Sequence, residues 1–571
     1  MKNLKRLGIC SILVFSLFIT GCSNNGGGKD EKVNYVEPTY NTEHTDVDFN
    51  ELTYVRPDTD ALDALIAQVK EISQKEDAEE QLLKGYDDIL SSVMKYDTMQ
   101  TLVSILSAKD VKDEFYSNED EFLTNYYTKL DNKMQDLTKT ILDSKYAKAF
   151  ENKMGKDFIK RYEINSKLNS PEIEELTEQE TALVNEYKKA SVDPYTTTWK
   201  GKEVGVDDLD FSDPDAATPY YEIYEKKNAV TGELYRKLVQ VRVKIAKKLG
   251  YDSYTEYAYE VLGYDFKPED SKKLQDYVVK NIAPLYDKVS SAYQSDIANA
   301  KENNTADFDS GIPTLEKAIK KEFPEYMMSA LDYMKRNNMY LYTDDANANQ
   351  AAYSTLLNEY SAPFMFVNTS VYTDPSTIFH EFGHYYNFFH YAKLKWNDSN
   401  DLNLAEIHSQ GLEVLMYPYY EDLYGENAKL MEYDNLSSML QSILAGCAED
   451  EFQQAVFEDP TMSLDDMNAL HGSISTKYYG YPQIYEWVDI HHHFETPFYY
   501  ISYATSAVSA LELWQISSKD RTEALDIYDK ITKHPENSHY LDALKNVGLS
   551  NPFKSDIMSD IAIALKKEMD L

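Results

Sequence analysis

The sequence has little positive charge, few cysteines and no long apolar run. Lys and Arg number 57 against 97 Asp and Glu, which gives a formal net charge of −40 over 571 residues. This balance argues against nucleic acids and other polyanions as partners, because such partners need clustered Lys and Arg. The apolar fraction of 43% is nevertheless enough for a substantial core. We see no internal repeat of the period that defines a solenoid.

The longest apolar stretch at the N-terminus, residues 7–19, is too short to cross a membrane comfortably. It follows Lys2, Lys5 and Arg6, and this order is typical of a secretion signal. The stretch ends in Ile19-Thr-Gly-Cys22, which resembles the lipobox of bacterial lipoproteins. We therefore predict a lipoprotein-type signal peptide over 1–21 and a lipid on Cys22, the alternative being a plain secretory signal.

The predicted product is an extracytoplasmic lipoprotein of a bacterial cell membrane, attached through its lipid alone. Residues 22–50 begin with a Ser/Asn/Gly-rich segment and are predicted to form a flexible tether. Cys10 leaves with the signal and Cys22 carries lipid, so only Cys447 remains and an internal disulfide is excluded.

Amphipathic helical patterns dominate the rest of the chain. They run from about residue 57 to 190, are interrupted by a Thr- and Gly-containing hairpin signal at 193–206, and then resume. We predict an N-terminal helical lobe over 51–200 and a second domain over 201–571, with Pro284 splitting a long helix. The apolar run 363–368 is predicted to be a strand, either an exposed edge or a buried core strand.

The segment Asp374-Pro-Ser-Thr-Ile-Phe-His380-Glu381-Phe-Gly-His384 carries the clearest chemical signal. Asp374 and Pro375 suit the start of a helix. His380 and His384 then lie one turn apart on one face. This is the H-E-x-x-H pattern of zinc peptidases, in which the two imidazoles bind Zn²⁺ and the glutamate acts as general base. The alternative is a helix with two solvated histidines.

A catalytic zinc site needs a third protein ligand. The segment Ala405-Glu406-Ile-His408-Ser-Gln-Gly-Leu-Glu413 offers two glutamates seven residues apart on one helix face. His408 points elsewhere and is interpreted as an ordinary polar residue. Together with the H-E-x-x-H segment, these residues resemble the thimet oligopeptidase and oligoendopeptidase F family. The resemblance implies that Glu406 is the third ligand of a single zinc ion and that Glu413 supports the site from outside.

A third segment, His491-His492-His493-Phe-Glu-Thr-Pro-Phe-Tyr499-Tyr-Ile-Ser-Tyr503-Ala-Thr505, is similar to the His-Phe-Tyr motif of the same family. Counting back from Tyr503 places the functional histidine at His493, and a shift of one residue would make it His492. In the family this loop faces the zinc. By resemblance, His493, Tyr499 and Tyr503 are predicted to bind substrate and the oxyanion. The stretch Ala346–Tyr353 lacks the glycines common in the family, which affects the expected shape of the substrate-side loop.

The resemblance implies a mainly α-helical, two-lobed ellipsoid with a deep substrate channel and a small β element beside the H-E-x-x-H helix. It also implies hydrolysis of internal bonds in short unstructured peptides. Three alternatives stay open: an exo-acting metallocarboxypeptidase of similar helical fold, a surface lipoprotein that captures peptides without cutting them, and a zinc-scavenging lipoprotein. Glu381 argues against the peptide-capturing lipoprotein, because binding alone needs no general base. A zinc scavenger would be expected to close the fourth coordination position or to carry a long His-rich tract, and the sequence shows neither. The sequence predicts no oligomeric state.

Overall fold

The computed structural model describes residues 43–168, 170, 172–391, 401–535 and 538–571. The predicted signal peptide (1–21), the predicted lipid site at Cys22 and most of the predicted tether lie outside these residues. Among the described residues, no helix has both the length and the apolar character needed to cross a membrane.

Helices build almost the whole described chain. The first half contains α1 (Thr59–Ile72), α2 (Glu79–Lys109), α3 (Glu114–Leu142), α4 (Ala147–Met154), α5 (Lys156–Leu168), α6 (Glu174–Ser191), α7 (Ala217–Lys248), α8 (Tyr254–Val261), α9 (Pro268–Asn281), α10 (Ala283–Glu302), α11 (Gly311–Glu322) and α12 (Glu325–Arg336). The second half contains α13 (Thr377–His390), α14 (Leu402–Met416), α15 (Tyr420–Tyr424), α16 (Ala428–Glu458), α17 (Leu464–Tyr479), α18 (His491–Glu495), α19 (Ile501–Ser517), α20 (Arg521–Thr532), α21 (Tyr540–Val547) and α22 (Ser555–Glu568). The helical prediction is confirmed. Pro284 stands at the start of α10, just after the break from α9, as its missing N–H requires.

Two small sheets accompany the helices. The predicted hairpin is β1 (Thr197–Trp199) paired with β2 (Lys202–Val204). The second sheet has the order β3-β5-β4, from β3 (Tyr340–Thr343), β5 (Ala362–Asn368) and β4 (Ala352–Leu357). β5 is parallel to β3 and antiparallel to β4. The strand predicted near 363–368 is therefore the fully buried centre of the sheet, and the edge-strand alternative is wrong for it.

The first five helices share a core of their own. Buried residues of α1 to α5, from Leu62 to Phe158, form a cluster separate from the main one. Helix α6 belongs instead to the main core through Tyr187, and it packs along α7. The ring of Tyr187 also stacks on Phe494 of α18. The separate cluster therefore ends within α5, and α6 joins the main core.

The C-terminal end of the predicted tether is packed against the body. The ring of His44 stacks on Phe389 with centroids 3.8 Å apart, and the Thr45 amide donates to the Tyr360 carbonyl at 2.9 Å. A 3₁₀ turn follows at Phe49–Glu51, capped by Asp48. Residues 44–50 thus depart from the flexible tether predicted for 22–50, since their backbone and rings find partners on the second half of the chain.

Candidate metal centre

Helix α13 carries the H-E-x-x-H segment and begins two residues later than predicted. The Asp374 carboxylate accepts hydrogen bonds from the Ser376 amide at 2.9 Å and from its hydroxyl at 2.7 Å, so it stabilises the turn that precedes the helix. The Tyr424 hydroxyl donates to the same carboxylate at 2.5 Å. This anchored turn fixes the point where α13 starts and, one turn later, the position of His380.

Gly383 explains how two helices come close enough to build the site. A Cβ atom at this position would lie 2.2 Å from the carbonyl oxygen of His408 on α14. Any side chain would therefore push α13 and α14 apart. The glycine of the His-Glu-Phe-Gly-His segment thus allows close contact between α13 and α14. That contact places both histidines near Glu406.

His380, His384 and Glu406 converge on one point. Oε2 of Glu406 lies 3.6 Å from Nε2 of His380 and 3.8 Å from Nε2 of His384. One nitrogen or oxygen of each residue lies within 4.8 Å of the others. Ligand atoms of a tetrahedral zinc ion with bonds of about 2.0–2.1 Å are separated by about 3.3 Å, so this donor set fits zinc with little adjustment.

Glu413 contacts the side of His380 that faces away from Glu406. Its Oε1 lies 2.5 Å from Nδ1 of His380, which leaves Nε2 for the metal side. Such carboxylate–imidazole contacts fix the tautomer of a metal-binding histidine. Burial lowers the pKa of His380, but Glu413 and then Glu406 outweigh burial and raise it to about 10. The carboxylates therefore favour positive charge at this point, which a divalent cation would supply.

The other site residues respond to burial and to each other. Burial lowers the pKa of His384 to about 4 and so favours the neutral, ligand-competent imidazole. Burial opposes ionisation of Glu406, but His384 and His380 outweigh it and lower its pKa. The Ser409 hydroxyl donates to Glu406 Oε2 at 2.9 Å. The two histidines therefore favour the ionised carboxylate of Glu406, the form that could bind a metal ion.

Glu381 lies beside the candidate ligands with only 4% of its surface exposed. Burial raises its pKa to about 7, which suits a group that must take and return a proton near neutral pH. The hydroxyl of Ser354, on β4, lies 2.8 Å from the Glu381 carbonyl oxygen and 3.3 Å from Oε2 of its side chain. The small sheet therefore contacts the candidate base directly.

The third predicted segment divides its histidines between two environments. His493 is fully buried, and its Nε2 lies 3.2 Å from Oε2 of Glu449. Oε1 of the same glutamate lies 3.2 Å from Nε2 of His471. Burial lowers the pKa of His493 although Glu449 opposes this effect. His493 is thus placed in a buried carboxylate–histidine cluster and not among the tyrosines predicted with it.

His492 occupies the position beside the tyrosines. Its ring stacks on Tyr499 with centroids 4.8 Å apart and meets Tyr503 edge-on at 5.9 Å. The Thr505 hydroxyl at the start of α19 donates to the Asn403 side-chain oxygen at 2.7 Å, one turn before Glu406 on α14. The tyrosine segment is therefore tied to the helix that carries the third candidate ligand.

Sequence reasoning missed the groups that hold this segment. The guanidinium of Arg242 on α7 is 1% exposed, donates to the His493 carbonyl at 2.8 Å and to the Phe494 carbonyl, and pairs with Glu180 at 2.7 Å. Glu449 was likewise not singled out. Both come from helices far away in the sequence, and no local pattern marks them.

His408 is also more than the ordinary polar residue of the sequence interpretation. It is 1% exposed, and its Nε2 lies 3.1 Å from Nε2 of His534. Two facing imidazole nitrogens need one proton between them, so the pair is held as one donor and one acceptor. The contact joins α14 to His534, the second residue after the end of α20.

A known protein family matches the N-terminal helices. Residues 49–169 match the family described as the Peptidase M3 N-terminal domain. This match coincides with the separate core of α1 to α5. The chain matches none of the curated proteins.

Solved structures share the fold over nearly the whole chain. PZ peptidase A, solved with an inhibitor, is 24% identical with a TM-score of 0.74, covering 91% of this chain and 99% of its own. Oligoendopeptidase F from Enterococcus faecium is 14% identical with a TM-score of 0.58, covering 90% and 96%. Metallocarboxypeptidase 1 from Trypanosoma cruzi is 11% identical with a TM-score of 0.52, covering 88% and 99%. The mainly helical fold predicted from the sequence is thereby confirmed.

Proposed function

We propose that this chain is a zinc-dependent oligoendopeptidase that hydrolyses internal bonds of short unstructured peptides. The observation that carries the proposal is the convergence of His380, His384 and Glu406 beside the buried carboxylate of Glu381. The Peptidase M3 N-terminal match and the fold shared with PZ peptidase A and oligoendopeptidase F add support.

The proposed metal is one zinc ion per chain, held by Nε2 of each histidine and by the Glu406 carboxylate. When bound, zinc would polarise the scissile carbonyl and make a water molecule acidic near neutral pH. Glu413 keeps His380 in the tautomer that presents Nε2. Glu381 takes the proton from the attacking water and returns it to the leaving amine, and general acid–base catalysis of this kind contributes about 10²–10⁴-fold to rate.

We assign the oxyanion-binding role to the His492–Tyr499–Tyr503 cluster. The sequence-based choice was His493, but burial of that ring against Glu449 leaves His492 as the histidine stacked on Tyr499. A hydrogen-bond donor that stabilises a developing oxyanion contributes about 10²–10³-fold to kcat. Tyr499 and His492 are donors of the required kind.

We further propose that the enzyme acts outside the cytoplasmic membrane, held by a lipid on Cys22. The signal-like segment 1–21 and the Ile19-Thr-Gly-Cys22 sequence support this location. Cys22→Ser is expected to move the protein from the membrane fraction to a soluble fraction. A chain that stays in the membrane fraction after this change would remove the lipid from the proposal.

The central experiment compares wild type with Glu381→Gln on an internally quenched peptide, with zinc content measured in parallel. We expect zinc to stay at about one ion per chain while kcat falls about 10²–10⁴-fold. Glu512→Gln is a matched control, because Glu512 is also buried but hydrogen-bonds Ser550. Full cleavage by Glu381→Gln would remove the base assignment.

Mass analysis of a peptide digest separates the endo-acting enzyme from the exo-acting alternative. Peptides with free and with amidated C-termini should be cut at the same internal bonds. If single residues were released, and only from peptides with a free C-terminus, the enzyme would be a metallocarboxypeptidase. The fold shared with metallocarboxypeptidase 1 of Trypanosoma cruzi is the reason to test this alternative.

A further inference from the structure

Glu413 is itself held in place by residues that the predicted site does not include. Its Oε1 faces His380, and its Oε2 accepts a hydrogen bond from the side-chain amide of Asn435 on α16. The other end of that amide, Oδ1 of Asn435, accepts a hydrogen bond of 2.5 Å from the Tyr417 hydroxyl. A continuous chain of hydrogen bonds therefore runs from Tyr417 through Asn435 and Glu413 to His380.

The chemistry of the four groups gives this chain a single direction. An ionised carboxylate only accepts, so the Asn435 atom that faces Glu413 must be the NH₂ group. The Tyr417 hydroxyl then donates to the remaining amide oxygen and prevents the amide from turning over. Burial and then the neighbouring Glu413 carboxylate raise the pKa of Tyr417 well above its ordinary value, so the phenol keeps the proton that it donates.

The arrangement also braces three helical segments against each other. Tyr417 follows α14 directly and stands four residues after Glu413, on the same side of the helix. Asn435 approaches from α16, which otherwise has no part in the candidate ligand set. Without Asn435, one oxygen of Glu413 would lose its donor and the carboxylate could rotate away from the imidazole.

We propose that Asn435 and Tyr417 are positioning residues that set the metal affinity of the centre by fixing Glu413 against His380. This inference rests on the proposed zinc function and deepens it. Partners that orient a metal ligand from outside are each worth about 10–100-fold in metal affinity or activity. Asn435 acts one step further out, so its removal should fall near the lower end of that range.

The test measures the zinc dissociation constant by competition with a chelator, using apoprotein prepared from each variant. We expect Asn435→Leu, which keeps the approximate volume and removes the donor, to weaken zinc binding about tenfold. Tyr417→Phe leaves the amide in place and should weaken it by a smaller factor, about two- to fivefold. Melting temperatures of the apoproteins show whether either change acts through the fold.

Two control variants separate positioning from general destabilisation. Tyr433→Phe removes a hydroxyl from α16, the helix that carries Asn435. That hydroxyl donates to the Glu568 carbonyl at 2.9 Å. Asn228→Leu removes a buried amide that pairs with Asn468. Both should leave zinc affinity unchanged. Zinc binding by Asn435→Leu within about twofold of wild type, or equal weakening by Asn228→Leu, would overturn the proposal.

His384→Ala distinguishes failure of this inference from failure of the function. If wild type binds zinc tightly and His384→Ala does not, the metal centre stands and the Asn435 result decides the inference alone. If wild type and His384→Ala bind zinc equally weakly, the proposed zinc function and the inference both fail.

Discussion

Two clusters of histidines and glutamates in this protein, one partly exposed and one buried, arrange the same residue types differently. At the metal centre, Glu413 engages one nitrogen of His380 and leaves the other directed at Glu406. In the second group, Glu449 lies between His471 and His493, with one of its oxygens 3.2 Å from a ring nitrogen of each. In the first group, ring nitrogens remain available to bind a cation. In the second group, the glutamate and the histidines face each other.

The difference lies in exposure and in the number of carboxylates. His380 keeps 27% of its side chain exposed, while His493 is fully buried. Three glutamates surround the two imidazoles of the metal centre, so negative charge is in excess there. The Glu449 group has one carboxylate for two imidazoles and needs no external cation. A histidine next to a glutamate therefore indicates a metal ligand only when the local charge is left unbalanced.

Substitution of one histidine in each group by alanine should give the largest difference in zinc binding between two variants. His384→Ala removes a proposed zinc ligand. Loss of a residue that only orients a ligand typically costs about 10–100-fold, so we expect zinc binding to weaken by more than that and activity to be lost in parallel. His493→Ala should retain zinc and instead lower the melting temperature. Zinc content, chelator competition and thermal unfolding measured on both variants provide the check. Loss of zinc from His493→Ala with an unchanged melting temperature would break the comparison.

Glu449→Gln should lower the free energy of unfolding at pH 7 by about 3–5 kcal/mol, because it breaks a buried charged pair. Burial opposes ionisation of Glu449, but His471 and His493 outweigh it and lower its pKa to about 2. This glutamate therefore stabilises the fold above about pH 4.3, its unfolded value, and the contribution is lost as the pH falls toward 2.

The check is denaturant unfolding of wild type and Glu449→Gln at pH 7 and at pH 3. The difference between the two proteins should shrink at the lower pH, since the wild-type carboxylate approaches protonation there. A difference that is constant across this range would show that the pair contributes through shape and not through charge.

Arg242→Lys should have a smaller effect, confined to the second group. Lysine cannot reproduce the fork that reaches the His493 and Phe494 carbonyls and Glu180 together. Leaving one buried carbonyl without its donor costs about 1–3 kcal/mol. Thermal unfolding should report this loss while chelator competition reports unchanged zinc affinity. Weaker zinc binding by Arg242→Lys would mean that the two groups are coupled.

The comparison also shows which parts of the molecule the sequence could predict. Helical spacing predicts that His380 and His384 share one face, and that Glu406 and Glu413 share a face of the next helix. The roles of Glu406 and Glu413 at the metal are what the family resemblance implies. His493 was chosen over His492 by counting along a motif. The buried Glu449 and Arg242 that separate these two rings come from α16 and α7, which no local spacing reveals. Long-range partners of this kind depend on tertiary packing.

In the fold, too, the parts that depend on long-range packing do not follow from local patterns. Helices and the hairpin follow from local patterns, but the membership of α6 in the main core does not, because it depends on the partner that buries Tyr187. The packing of residues 44–50 was missed for a similar reason. Their polar sequence predicts a tether, and their partners, Tyr360 and Phe389, stand more than 300 residues later.

Ser354→Ala should have the smallest effect and should sharpen the comparison within the metal centre itself. The Ser354 hydroxyl contacts Glu381, whereas the equivalent hydroxyl of Ser409 contacts the candidate ligand Glu406. A net hydrogen bond of about 0.5–1.5 kcal/mol corresponds to a change of roughly two- to tenfold. We expect Ser354→Ala to lower kcat by this factor with zinc affinity unchanged, and Ser409→Ala to weaken zinc binding instead. Steady-state kinetics on a quenched peptide and chelator competition separate the two. If both variants changed the same quantity, Ser354 and Ser409 would not act separately on Glu381 and Glu406. The proposed difference between these two hydroxyls would then be wrong.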